Sequence, residues 1–296
     1  MKTNKLILEV LMMIAVTGMI ITGCSKDDAV PGTANDNSNL RYVYDNTIAE
    51  ASFDDAENVA DEGVTGSLSS FKLGTDDQVM TSCATITLQL NAEPHSATID
   101  FGTTDCLGKD GNYRRGKIIV TWSGNYFAAG SSHTISFENY YLNFNKIEGT
   151  KTVVNKGRNA EGHLTWDVTV NGKVTVDAQY SQLGTSGTMT FTANKSREWI
   201  EGEATIFNRK DDVYLIRGTA SGTTTDQVTY TAETDANAPL RKEIGFPHFT
   251  RGIVILNANT RGTTMVDYSY LNGQRDNLAQ VTVEGVTYTI QLGVRH

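Results

Sequence analysis

The chain has 296 residues, 39% of them hydrophobic, which is enough apolar material for one sizeable core or two modest ones. Lys and Arg number 25 against 34 Asp and Glu, a formal charge of −9, so nucleic acid is a poor partner, since it needs clustered cations. Thr (39) and Gly (27) are abundant and Pro (4) is scarce, a β-leaning composition that argues against helical bundles, collagen-like chains and wholesale disorder.

The chain begins with a basic patch, Lys2 and Lys5. Residues 6–21 then run apolar, broken only by Glu9, Thr17 and Gly18. That length suits a secretory signal and is short for a spanning helix. Ile21-Thr22-Gly23-Cys24 resembles the lipobox of bacterial lipoproteins. The resemblance implies a signal peptide over 1–23, cleavage before Cys24 and lipidation of that cysteine, hence a membrane partner through the lipid. Ser25-Lys26-Asp27-Asp28 is similar to the acidic export tag of Bacteroidetes-type surface lipoproteins. It implies the outer face of the outer membrane; as a plain solvated tether it would leave a periplasmic face open as the alternative. Residues 24–40 then form the lipidated end and a flexible spacer, about 20–25 Å of coil.

Residues 41–63 carry the only helical pattern. Ile48, Ser52, Ala56, Val59 and Ala60 fall near one face, and Gly63 suits a C-cap. Asp54, Asp55, Glu57, Asp61 and Glu62 crowd the other side, which reads as a solvated acidic face rather than a cation site.

From residue 79 the period changes to two, and the β domain is assigned to 64–296. Ile86, Leu88 and Leu90 alternate with polar residues, as do Ala97, Ile99 and Phe101. Closing them as a hairpin over residues 91–96 sets Leu90 opposite Ala97 and Leu88 opposite Ile99. Ile118, Val120 and Trp122 share a face, as do Ile135 and Phe137; a phase shift near Asn139 predicts a bulge. The run from Leu164 to Val170 leads into Asn171-Gly172, which predicts a hairpin turn. Further strands are expected around Met189, Ala204 with Ile206, Val213, Tyr230, Ile253, Val266, Val281 and Val286, with a tight turn at Glu284-Gly285. The predicted fold is all-β with one N-terminal helix: an antiparallel sandwich, a jelly roll or an open curved sheet.

With Cys24 lipidated, Cys83 and Cys106 remain, and an oxidising compartment makes them a disulfide pair. The hairpin register sets them diagonally on one face, with the Gly102 loop able to close the gap. No two histidines lie at ligand spacing, and no phosphate loop, dinucleotide fingerprint or nucleophile elbow is present. No cofactor is expected. Asp105, Asp110 and Asn112 lie in a Gly-rich loop that could hold calcium, without regular EF-hand spacing. Glu198, Glu201 and Glu203 are the acids to try if the chain is a polysaccharide-acting enzyme. Trp122 and Trp166 fit the core. Trp199, and one of Tyr140 or Tyr141, are the candidate stacking surfaces for a glycan.

Residues 83–292 resemble a family of uncharacterised Bacteroidetes-type lipoproteins. The resemblance is carried by Ile99-Asp100-Phe101-Gly102, Arg115-Gly116-Lys117-Ile118-Ile119-Val120, Phe137-Glu138-Asn139-Tyr140-Tyr141, Ile147-Glu148-Gly149-Thr150-Lys151-Thr152-Val153 and Arg197-Glu198-Trp199-Ile200-Glu201-Gly202, and by Phe53-Asp54-Asp55-Ala56. Members often have two further cysteines near the C-terminus; residues 245–250 and 271–276 have none here. The resemblance implies no activity. The expected function is therefore non-catalytic: a surface lipoprotein displaying a β domain for binding a glycan or envelope component, or for envelope structure. A periplasm-facing carrier holding a lipid in a hollow curved sheet is the alternative.

Overall fold

The structure, a computed structural model, describes residues 40–68, 79–181, 183–205, 209–259, 262–273 and 275–293. The expected signal peptide, Cys24, the tether before residue 40 and Ile206 lie outside the described residues.

One long helix, α1 (Arg41–Leu68), precedes the strands. These are β1 (Thr85–Gln89), β2 (His95–Asp100), β3 (Cys106–Leu107), β4 (Tyr113–Trp122), β5 (Ser132–Leu142), β6 (Asn145–Arg158), β7 (Leu164–Val176) and β8 (Gly187–Glu201), then β9 (Val213–Thr223), β10 (Thr229–Thr234), β11 (Leu240–Glu243), β12 (Ile253–Ala258) and β13 (Thr263–Asp267). A single-turn helix, α2 (Tyr270–Gly273), leads to β14 (Leu278–Val283) and β15 (Val286–Gln291). All fifteen belong to one antiparallel sheet that stays open. It is a meander in chain order, with β3 added to β4 and β11 to β9 off the main path. Of the architectures expected, the open curved sheet is the one found. No described helix is long and apolar enough to cross a membrane.

The sheet curves around α1. The helix packs on β1, β2 and β4 to β8, and its first turns reach the far strands, where the Tyr42 hydroxyl meets Thr264 of β13. Alternation explains the strand faces: Ile99, Ile118, Val120, Ile135, Ile147 and Val174 point inward and are fully buried. Small residues let the helix lie close, with Ala49, Ala56 and Ala60 fully buried. Phe53 fills the centre, its ring 5.9 Å from those of both Phe137 and Phe191.

Four expectations need correction. The helix does not stop at Gly63 but runs on to Leu68. Gly63 is there for space: a Cβ would come 2.7 Å from Ile99 Cδ1. The β1–β2 register is two residues off, with Leu88 opposite Ala97 and Ile86 opposite Ile99. A shift of two keeps the same face inward, so the apolar pattern alone could not detect it. Asn171-Gly172 is not a turn; β7 runs straight through it, and Gly172 lies under the Phe53 ring, where a Cβ would collide. Ala204 sits in a 3₁₀ turn, not a strand. The bulge near Asn139 is present: one residue of β4, Gly116, opposes two of β5, and Gly116 has φ +81°. The tight turn at Glu284-Gly285 is also found, with positive φ at both residues.

Candidate functional site

The acidic side of α1 is buried, which overturns the expectation of a solvated face. Glu50, Asp54, Glu57 and Asp61 recur at helical spacing, so they form one stripe along the helix. The sheet meets them with cations at inward positions. Lys195 pairs with Glu50 at 2.5 Å, and Lys151 with Glu57 at 2.5 Å. Arg197 closes on the other Glu57 oxygen. Asp54 lies 3.7 Å from both Lys151 and Lys242. Asp61 accepts from the Tyr126 hydroxyl at 3.0 Å and from Arg209 at 3.4 Å. On a neighbouring face of the helix Asp55 holds Arg114 at 2.5 Å, and Asp110 takes the same guanidinium at 2.7 Å. Glu62 accepts backbone N–H bonds from residues 79–81, tying the helix end to the approach to β1.

Burial sets the electrostatics. The Glu57 and Lys151 side chains are each 3% exposed. Burial alone would raise the Glu57 carboxyl, but Arg197 and Lys151 outweigh it and bring it down to about 2. Burial instead dominates at Asp212, raising it to about 6 despite Arg209 nearby. These act in opposite directions on stability. The Glu57 contribution is complete above its unfolded value and is lost as pH falls through about 2. The Asp212 contribution is complete below its unfolded value, about 3.9, and is lost as pH rises through about 6. Asp212→Asn is therefore expected to match wild type in urea unfolding at pH 4 and to exceed it at pH 7. An equal difference at both pH values would refute the assignment.

The helix leaves little room on the inner side. One space of about 20 Å³ lies between α1 and the strands, lined by Glu50, Glu57, Lys151, Phe191 and Arg197 among others, and another of about 10 Å³ lies beside Asn46 and Lys195. Such spaces admit a water, not an acyl chain. Near the ends of β7 to β9 the inner face instead carries aromatic rings. Trp199 stacks on Tyr214 at 5.8 Å, and Trp166 lies 6.3 Å from both. The Arg197 guanidinium sits 3.6 Å from the Tyr214 ring centre. Trp166 and Trp199 are half-buried, so each keeps part of an aromatic surface in reach of solvent, while Tyr214 beneath is buried.

The structure separates the residues expected to act together. Trp199 lies on this inner rim. Tyr140 is wholly buried, its ring 5.5 Å from Phe137 and its hydroxyl donating to Asp55 at 3.4 Å, so it offers no stacking surface. Tyr141 points to the outer face, covered by the Arg115 guanidinium 3.5 Å from its ring centre. Each of the three acids is engaged by cationic or donor side chains. Glu198 accepts from His163 at 2.8 Å and Asn159 at 2.9 Å, and the His163 bond leads in holding its carboxyl below the usual range. Glu203 is held low by its hydrogen bonds from Arg158. Glu201 pairs with Arg241 at 3.0 Å. For Glu198 and Glu203 a general acid's role would need the opposite shift. The loop acids are also taken, Asp105 by Arg115 and Asp110 by Arg114; no group of His, Cys, Asp and Glu among the described residues could hold a metal.

Cys83 and Cys106 lie at disulfide distance, with Cα atoms 6.5 Å apart, and tie the approach to β1 to β3. Their 23-residue separation predicts a loss of about 3 kcal/mol on replacement of both by serine, read from denaturant midpoints. A variant as stable as wild type would contradict it. Trp166 and Tyr214 are the rim residues not anticipated: Trp166 shares the parity of Val168 and fits the core, and the strand expected at Val213 gives no sign of Tyr214. No protein-family model, curated protein or solved structure matches the chain.

Proposed function

We propose that the chain is a lipid-anchored outer-membrane surface protein that displays its β domain for non-catalytic binding of a glycan or another envelope component. The observation that carries this reading is the filled inner face. The volume in which an open curved sheet would hold a substrate or a lipid is taken by α1, clamped through Glu57, Lys151 and Arg197. What the inner side offers a partner is then its rim, where the half-buried Trp166 and Trp199 would present aromatic surface for a sugar ring. The Ile21-Thr22-Gly23-Cys24 segment supports the anchor. Two lipid chains hold a protein stably where one does not.

Two measurements test the proposal. Wild type is expected in the detergent phase on partitioning and Cys24→Ala in the aqueous phase; equal partitioning would end the lipid-anchor reading. On a glycan and envelope-component array, the detergent-solubilised chain is expected to bind, and Trp199→Ala to weaken that binding about tenfold, the scale of losing one stacking contact. Turnover of a polysaccharide, abolished by Glu201→Gln with the fold intact, would overturn the non-catalytic reading.

A further inference from the structure

The main path of the sheet leaves out β3 and β11, so thirteen of the fifteen strands follow one another, every pair antiparallel. An odd number has a consequence. Twelve reversals bring the chain back to its starting direction, so the two edge strands, β1 and β15, run the same way. Closing the sheet on itself would join them in parallel, a pairing this sheet uses nowhere and a slightly weaker one.

Each edge therefore keeps a row of backbone N–H and C=O groups with no strand beside it among the described residues. Edges are ordinarily guarded by Lys, Pro, a bulge or a covering loop. β15 reads Val-Thr-Tyr-Thr-Ile-Gln, without charge, proline or bulge. Its inner face is also incompletely covered: Val286 is 52% exposed, and Tyr288 is only half-buried. β1 is equally uncharged but a residue shorter, and its approach is occupied by the Cys83–Cys106 pair and by Ser82, which accepts from the Lys109 amide at 3.1 Å.

We infer that β15 is a self-association edge, through which two copies of this chain pair antiparallel about a two-fold axis. The two-fold supplies what closure cannot, because it reverses the second strand and continues the antiparallel ladder. Under such an axis the residues near its centre meet the strand's own neighbours, so a charge there would lie close to its copy. β15 carries none, so the pairing meets no like-charge opposition. An axis through Tyr288 sets Thr287 opposite Thr289 of the second copy on the outer face, and Val286 opposite Ile290 on the inner face. The pairing buries the exposed valine and satisfies the open backbone groups together. It rests on the sheet alone and stands whether or not the rim binds a glycan.

The test is the protein mass of the full chain in detergent, by light scattering. Wild type is expected at twice the protein mass of one copy of the mature chain. Thr287→Lys with Thr289→Lys, which gathers four lysines at the axis, is expected to return it to one copy. Thr85→Lys with Thr87→Lys on β1 is expected to leave the dimer intact. A single-copy wild type, or a dimer broken by the β1 pair and not by the β15 pair, would overturn the inference. Should the lysine variant fail to fold, amide exchange of wild type decides: residues 286–291 are expected to exchange faster on dilution. Fast exchange at every concentration would be the contrary result.

Discussion

Glu57→Ala is expected to lower the unfolding free energy by about 3–5 kcal/mol, the range found when one partner of a buried ion pair is removed. The size follows from what remains. Lys151 at 3% exposure and Arg197 at 9% would lose their close partner and keep only the longer contacts, Asp54 at 3.7 Å from Lys151 and Asp61 at 3.9 Å from Arg197. Arg197 depends on it most directly: burial opposes its charge, and the Glu57 carboxylate is the strongest influence restoring it. Truncation of Lys156, which pairs with Asp167 and is more than half exposed, is expected to cost under 1 kcal/mol. Urea titration of both variants checks the contrast, and comparable losses would mean that the α1 charges are not buried in solution.

Phe53→Ala is expected to cost about 3–5 kcal/mol, as a fully buried ring is removed and its neighbours cannot all close the gap. The ring has one support with a distinctive signature. It lies over Gly172, where an added Cβ would meet the ring itself and come 2.7 Å from the Glu148 carbonyl oxygen. Gly172→Ala should therefore destabilise by about 1–3 kcal/mol through overpacking. Combined with Phe53→Ala it should cost less than the sum, since the smaller residue gives the new methyl space, with a coupling of about 0.5–3 kcal/mol. Strict additivity in a double-mutant cycle would show that helix and strand do not meet there.

Much of this architecture is legible in the sequence. Period-two alternation places most strands, and the phase shift at Asn139 marks the bulge correctly. Two features mislead for the same reason: a local signal is outweighed by a partner distant in the chain. Asn171-Gly172 has the composition of a turn, but the glycine is needed to seat Phe53, 119 positions earlier. The acids of α1 have the composition of a wet face, but their partners arrive from β6, β8 and β11. A signal for those partners does exist. Lys151 keeps the parity of Ile147 and Val153, Arg197 that of Phe191 and Ala193, and Lys242 that of Leu240. A cation on the inward parity of an apolar strand requires a buried anion, and the acid stripe of α1 supplies it. The rim is less legible, because Trp166 and Trp199 follow the core parity and their partial exposure depends on tertiary packing. Which acids remain free is likewise invisible in sequence, since Glu198 is tied to His163 across a strand pair whose register is not written locally.

If α1 is the core of this domain, amide hydrogen exchange along the helix will reveal it. Amides between Ala49 and Ala60 are expected to exchange only through global unfolding, with the same free energy as the central residues of β6, β7 and β8. Exchange of those helix amides by local opening several kcal/mol cheaper, while the strands stay protected, would contradict it.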